Sequence, residues 1–287
     1  MSSLHQFRLK VQHYDLPATL ACGQAFRWKQ IGDSWESVVK GRWVRLSSAN
    51  DGILAKTTGP LESCSWLADY LQIGTDLTSV LAAFPNDEPM QAAVKACFGL
   101  RLLRQEPWEC LASFVLSSTK QIVQIQQIIR LLCERFGESV AVPRGHPTAY
   151  SFPTAERICR CSEAELRACK MGFRAAYLKQ TAAMIASSEV SLANLSGLDL
   201  EEARGALLRL PGVGRKIAEC VLLFAGGFQQ AFPIDVWVMK ALRDLYFQGR
   251  SIPLKRLQRF AGKHFGPYAG YAQQYLFHYM RRRSLPA

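Results

Sequence analysis

The sequence predicts an α+β chain: an N-terminal antiparallel β-sheet domain with flanking helices over residues 1–106, then an all-α domain over residues 107–287. Apolar and polar residues alternate in short runs between residues 5 and 58. Apolar spacing turns helical from Leu61, and no convincing strand pattern follows Pro107. At 287 residues the length fits two domains.

Phe7, Leu9 and Val11 alternate with Arg8 and Lys10. FRWKQ, WESVVK, GRWVRLSS and ILAKTT continue as a meander of strands with turn residues between them. LESCSWLADYLQ, LTSVLAAF and EPMQAAVKACF then carry helical spacing. Pro107 suits the first helical position of WECLASFVLSS, and IVQIQQIIRLLCERF is closed by Gly137. After the loop VPRGHP, Thr154 begins TAERICRC. Ser162 and Glu165 form a capping box for EAELRAC. GFRAAYLKQTAAMIASS is the next amphipathic helix, and Asp199 and Glu202 open LEEARGALLRL. KIAECVLLFAG, VWVMKALRDLYF, PLKRLQRFAGKHF and YAQQYLFHYMRRR complete the helical region.

Hydrophobic residues make up 49% of the chain and charged residues 20%, which excludes disorder for most of it. The longest apolar runs, such as Val221 to Gly227, fall far short of the ~20 residues of a membrane span. MSSLHQFRLK lacks the apolar core of a signal peptide. A cytoplasmic or nucleoid protein is therefore expected in a bacterium, a nuclear one in a eukaryote, and a secreted one in neither. The nine cysteines are an odd number, and with no signal peptide read, reduced thiols are expected. Cys159, Cys161 and Cys169 cluster without a nearby His, a poor zinc pattern. Neither a metal nor an organic cofactor is expected.

The net charge of +12 is lopsided. Residues 107–287 hold 24 Lys/Arg against 13 Asp/Glu, and the last 52 residues hold 10 against 1. Such a field suits nucleic acid, although an anionic membrane surface or plain solubility would use the same charge.

The most informative stretch is LLRLPGVGRKIAECVLLF, residues 207–224. A helix ends at Leu210, because Pro211 cannot continue it. Gly212 and Gly214 allow positive φ and close backbone approach around Val213. A second helix starts by Lys216, and its free N–H groups point into the turn. Two helices joined by L-P-G-V-G thus offer an amide cradle for one phosphate, a helix-hairpin-helix that grips a nucleic-acid backbone without reading bases. A tight corner with no ligand is the competing reading. Lys216 faces the positive end of its helix, a position that favours the nucleophilic neutral amine. It could equally be a surface lysine on phosphate. Asp235, 19 residues on in FPIDVWVMK, reads as an N-cap, oriented and kept ionised by helix amides. That state also suits stabilising a developing cation.

LPGVGRK and PIDV together resemble the superfamily of DNA base-excision glycosylases named for its helix-hairpin-helix and Gly/Pro-rich loop with Asp. The lysine in the turn resembles its bifunctional glycosylase/lyase members. The remaining motifs resemble the 8-oxoguanine DNA glycosylases. They are GQAFRW (Gly23–Trp28), SFVLSS (Ser113–Ser118), MGFRAAYL (Met171–Leu178) and GPYAGYAQQYLF (Gly266–Phe277), in shared order over nearly the whole chain.

The resemblance implies a TBP-like sheet domain on a helical domain with the active site between them. It implies a monomer acting on double-stranded DNA containing 8-oxoguanine, with the target nucleotide flipped out of the duplex. Lys216 would attack the anomeric carbon, expel the base and form a Schiff base, and β-elimination would nick the strand. Asp235 would stabilise the cationic sugar. The Gly23 carbonyl would accept the extra N7–H of the lesion. Cys220 and Phe277 would sandwich the flipped base, and Gln273 would bond its Watson–Crick edge. Phe173 would wedge into the duplex where the family usually has tyrosine. Arg174 would contact the opposite cytosine. Without the resemblance, Cys220 and Phe277 read as core, Gln273 as a surface polar residue, and Phe173–Arg174 as a helix start.

Three departures stand out. Thr119–Lys120–Gln121 replaces consecutive asparagines, Gln124 replaces a second cytosine-reading arginine, and Trp237 stands where a histidine is usual. With only Thr119 and Arg174 left to donate, discrimination for cytosine opposite the lesion should be weaker. Two rivals stay open: a monofunctional glycosylase using Asp235 and water, and a non-catalytic helix-hairpin-helix DNA-binding module. The iron–sulfur branch needs four cysteines after the hairpin, and only Cys220 follows Leu210.

Overall fold

The protein is described by a computed structural model over residues 3–59, 63–118 and 120–284. Strands β1 (Leu4–Lys10), β2 (Lys29–Ile31), β3 (Ser34–Val39), β4 (Arg42–Ala49) and β5 (Gly52–Thr58) form one antiparallel sheet in the order β1-β5-β4-β3-β2. Its register sets Phe7 opposite Ala55 and Trp35 opposite Leu46. One face buries Leu9, Trp35, Val44, Leu46 and Ile53 against Leu67 and Leu71.

Two parts of the strand expectation need correcting. Leu16–Ala21 is a helix, α1, capped by Asp15, whose Oδ1 accepts from Ala18 N at 2.8 Å. Pro17 stands in its first turn, a start signal that the alternating pattern around it hid. In FRWKQ, pairing begins only at Lys29, because Gln24 ties the preceding segment down from inside. Its Nε2 donates to the carbonyls of Thr19 at 2.9 Å and Arg101 at 2.8 Å, and its Oε1 accepts from Leu103 N at 2.8 Å.

Helices α2 (Ser65–Tyr70), α3 (Leu77–Ala82) and α4 (Glu88–Cys97) follow. The residues of α3 and α4 pack into the same core as the later helices. Next come α5 (Pro107–Ser117) and α6 (Ile122–Phe136). The helical expectation is then interrupted by a two-residue ladder, β6 (Ser139–Val140) with β7 (Ala149–Tyr150). Two residues give no period to read, and the ladder is pinned from outside. Thr58 Oγ1 donates to the Ala141 carbonyl, and Trp43 Nε1 donates to His146 Nε2 at 3.2 Å.

Helices α7 (Ala155–Cys159), α8 (Glu163–Leu166), α9 (Arg174–Ala186), α10 (Leu200–Leu208), α11 (Arg215–Val221), α12 (Val236–Tyr246), α13 (Leu254–His264) and α14 (Ala269–Ser284) complete the chain. The Ser162–Glu165 and Asp199–Glu202 capping boxes form as expected. Among the described residues no helix is long and apolar enough to cross a membrane.

Candidate active site

α10 and α11 are clamped face to face by charge. Arg204 Nε donates to Glu219 Oε1 at 2.7 Å, with both side chains buried, and Phe232 N donates to the second Glu219 oxygen at 3.1 Å. Removing one partner of such a pair would leave an uncompensated buried charge, so both residues are needed to keep the two helices joined at this point.

Inside the turn the two glycines differ. Gly212 has φ +75°, and a Cβ there would lie 2.9 Å from Tyr177 Cβ, so both backbone and packing require glycine. Gly214, the N-cap of α11, has φ −91°, an ordinary conformation, which corrects the expectation of positive φ at both positions. A Cβ at Gly214 would meet nothing within 4 Å. Its missing side chain leaves open space in front of the amides that begin α11. Gly214→Asn is therefore expected to hold or raise stability, since Asn is at least as good an N-cap as Gly. Its side chain would fill the cradle, weaken binding to lesion and undamaged duplexes alike, and lower the salt slope by about one. Titrations of both duplexes at several salt concentrations check this. A loss confined to lesion DNA would contradict the phosphate-cradle reading.

Lys216, in the first turn of α11, is half-buried. Its Nζ donates to Ser117 Oγ at 3.3 Å and lies 5.1 Å from the centre of the Phe114 ring. Ser117 is held in turn, donating to the Phe114 carbonyl at 2.7 Å. Ser117 and Phe114 lie within the SFVLSS motif, but their contact with Lys216 was not legible in the sequence, since the Ser117 bond spans 99 positions and neither belongs to the turn.

Asp235 caps α12, its Oδ1 accepting from Val238 N at 2.8 Å. Burial pushes its carboxyl up from the ordinary value, against the Val238 amide, Lys216, the Trp237 amide and Arg281. The cap expected to keep it ionised is present, but desolvation outweighs it. Cys220, one turn after Lys216, is buried, and burial pushes its thiol up to about 12. It offers a neutral sulfur, with Lys216 and Asp235 acting on it in opposite senses.

GQAFRW meets α14 at the edge of the helical region. A Cβ on Gly23 would lie 3.1 Å from Ile122 Cδ1, 3.5 Å from Arg281 Nη1 and 3.6 Å from Phe277 Cε1. Gln274 Nε2 donates to the Cys22 carbonyl at 3.0 Å, which fixes the strand-side lip against α14. Gln273, for which a surface polar residue was the competing reading, is buried, and its Oε1 has no partner among the described residues. A buried amide oxygen without a donor costs free energy unless a ligand satisfies it.

Phe173 is 59% exposed at the start of α9, with Gly172 in a glycine-only conformation (φ 62°, ψ −136°) turning the chain just before it. Arg174 lies beneath it, Cζ 4.5 Å from the ring centre, buried and donating to the Ser118 carbonyl. Thr119 lies outside the described residues. Gln124 Oε1 accepts from Gln121 N at 3.1 Å, so its amide is engaged in capping α6.

Comparison with known proteins places these features in a family. The N-terminal domain of 8-oxoguanine DNA glycosylases matches residues 6–111, and the HhH-GPD superfamily of base excision DNA repair proteins matches residues 112–265. The N-glycosylase/DNA lyase OGG1 of Arabidopsis thaliana is 32% identical over 295 residues, covering 94% of this chain and 79% of that protein. Among solved structures, MBOgg1 in complex with a low-affinity DNA ligand matches with a TM-score of 0.91 and 31% identity, over 99% of this chain and 100% of that one. The Clostridium acetobutylicum 8-oxoguanine glycosylase/lyase, solved with double-stranded DNA containing cytosine opposite 8-oxoguanine, matches with a TM-score of 0.89 and 28% identity, over 99% of both chains.

Proposed function

The chain belongs to the HhH-GPD superfamily of base excision DNA repair proteins, and from that membership we propose how its residues divide the work. It is a bifunctional DNA N-glycosylase/lyase that excises 8-oxoguanine from duplex DNA and cleaves the abasic strand. In our reading Lys216 is the nucleophile. The observation that carries it is a lysine at the mouth of the phosphate-binding turn, tethered by Ser117 and Phe114 within electrostatic reach of Asp235.

The Gly214 amide and the free amides that open α11 hold the backbone while the nucleotide leaves the stack; Val213, expected to join them, spends its own N–H on the Leu210 carbonyl at 3.1 Å. Cys220 and Phe277 flank the extruded base, Gln273 meets its Watson–Crick edge, and the Gly23 carbonyl takes N7–H. The Lys216 amine forms the bond to C1′ as the C1′–N9 bond breaks, and the bonding pair leaves with the base. Asp235 stabilises the positive charge that develops on the sugar. Loss of the C1′ amine proton and ring opening give the imine, and β-elimination breaks the C3′–O bond. We place the boundary between the sheet domain and the helical domain at residues 106 and 107, and the protein's work with the genome, in nucleoid or nucleus.

The opposite strand is read thinly. Phe173 supplies an exposed wedge, which keeps the stacking an aromatic provides. Arg174 is committed to a backbone carbonyl, and Gln124 to a helix cap. Excision opposite C, A, G and T is therefore expected to proceed at rates within about tenfold of one another. A full bidentate reader would separate them by about 1–3 kcal/mol per contact. Single-turnover rates on the four duplexes test it, and a preference for cytosine above about a hundredfold would refute it.

A further inference from the structure

We propose that Arg281 is a base-recognition residue: its guanidinium, held on Phe277 beside Gly23, donates hydrogen bonds to carbonyl oxygens of the flipped purine. The inference rests on the reading of Cys220, Phe277 and Gln273 as the base pocket and adds a residue to it.

Arg281 stands one turn after Phe277 on α14, with Cζ 5.4 Å from the centre of that ring. Its Nη1 lies 3.5 Å from the point where Gly23 would carry a Cβ. The guanidinium is thus at the junction of two pocket elements, within electrostatic reach of Asp235. Its neighbours are occupied elsewhere. Arg282 Nη1 donates to the Ala96 carbonyl at 2.7 Å, and Arg283 sits over Tyr279 at 5.4 Å.

Arg281 is half-buried, and among the described residues no carboxylate or carbonyl accepts from it. Burial pulls its guanidinium down from the ordinary range, partly offset by Cys22 and Asp235. Its nitrogens are not among the buried polar atoms without a partner, so they reach water, and a ligand rich in acceptors would take the place of that water. In 8-oxoguanine the carbonyl oxygens O6 and O8 flank N7–H on either side. A donor fork next to the Gly23 backbone therefore meets an acceptor when N7–H points at that backbone. Gln273 Oε1 serves the opposite edge of the base, so the two side chains do not compete.

The test uses full-length protein, R281M and R281K, each titrated with two duplexes alike except at one position. One carries 8-oxoguanine, the other a stable abasic analogue with no base. R281M keeps an apolar stem over Phe277 and is expected to bind the lesion duplex about ten- to a hundredfold more weakly, with abasic affinity unchanged. R281K keeps charge and stem but loses the planar fork, and is expected to fall between. It carries the same comparison if R281M does not fold. Equal loss on both duplexes would mean a contact to phosphate or sugar and would overturn the proposal, as would no loss on either. The wild-type protein's own preference for the lesion duplex over an undamaged one judges the underlying pocket reading separately.

Discussion

Lys216→Gln is expected to bind a duplex containing 8-oxoguanine with near-wild-type affinity and to release base at least a thousandfold more slowly. The substitution removes the amine that bonds to C1′ in the proposed mechanism, and leaves the free amides at Gly214 and the start of α11 intact. Loss of an attacking nucleophile typically costs about 10³- to 10⁶-fold. The fold should persist, because Lys216 Nζ is held by a 3.3 Å hydrogen bond and one ring contact, and by no ion pair among the described residues. Gln can still reach Ser117. Single-turnover base release, developed with alkali so that the lyase step is bypassed, separates this outcome from a defect in strand cleavage alone. Unchanged base release would make the enzyme's first step independent of Lys216.

The second large effect is expected at Asp235. Asp235→Asn should lower excision about 10²- to 10⁴-fold, the range seen when an oriented charge at a developing cation or its equivalent is neutralised. Stability should move the other way. Burial raises this carboxyl, so ionising it costs the folded state more than the unfolded chain. The penalty starts as pH rises past the unfolded value and is complete once pH exceeds the folded one. Asn keeps the oxygen that accepts from Val238 N and drops the charge. The Tm of the variant should hold or rise, by about 2–4 °C per kcal/mol recovered. The same raised carboxyl should shift an acid limb of wild-type activity upward from where an unperturbed aspartate would set it. Asp235→Asn should lose that limb. A variant that is both inactive and markedly less stable would make Asp235 a cap with no separate catalytic duty.

The hairpin was legible because its chemistry is local. LPGVG, the lysine two residues later and the acid before an apolar helix are all read within one turn of the elements they terminate. The caps at Ser162 and Asp199 were legible for the same reason. What distance in sequence separates was not. Ser117 and Phe114 meet Lys216 only because α5 packs against α11, and Arg281 meets Gly23 only because α14 closes on the GQAFRW segment. Nor was the layering at the start of α9 legible: the turn at Gly172 projects Phe173 and folds Arg174 under it. The helix at Leu16–Ala21 escaped notice because six residues hold too little period to outweigh flanking strand patterns, although Asp15 and Pro17 marked its start.

The most direct measurement is reductive trapping. Wild-type protein is incubated with a duplex carrying one 8-oxoguanine opposite cytosine, in the presence of borohydride, and the adduct is digested and mapped. A covalent protein–DNA adduct is expected on the peptide containing Lys216, absent from Lys216→Gln. An adduct mapped to another residue, or base release with no adduct at all, would contradict it.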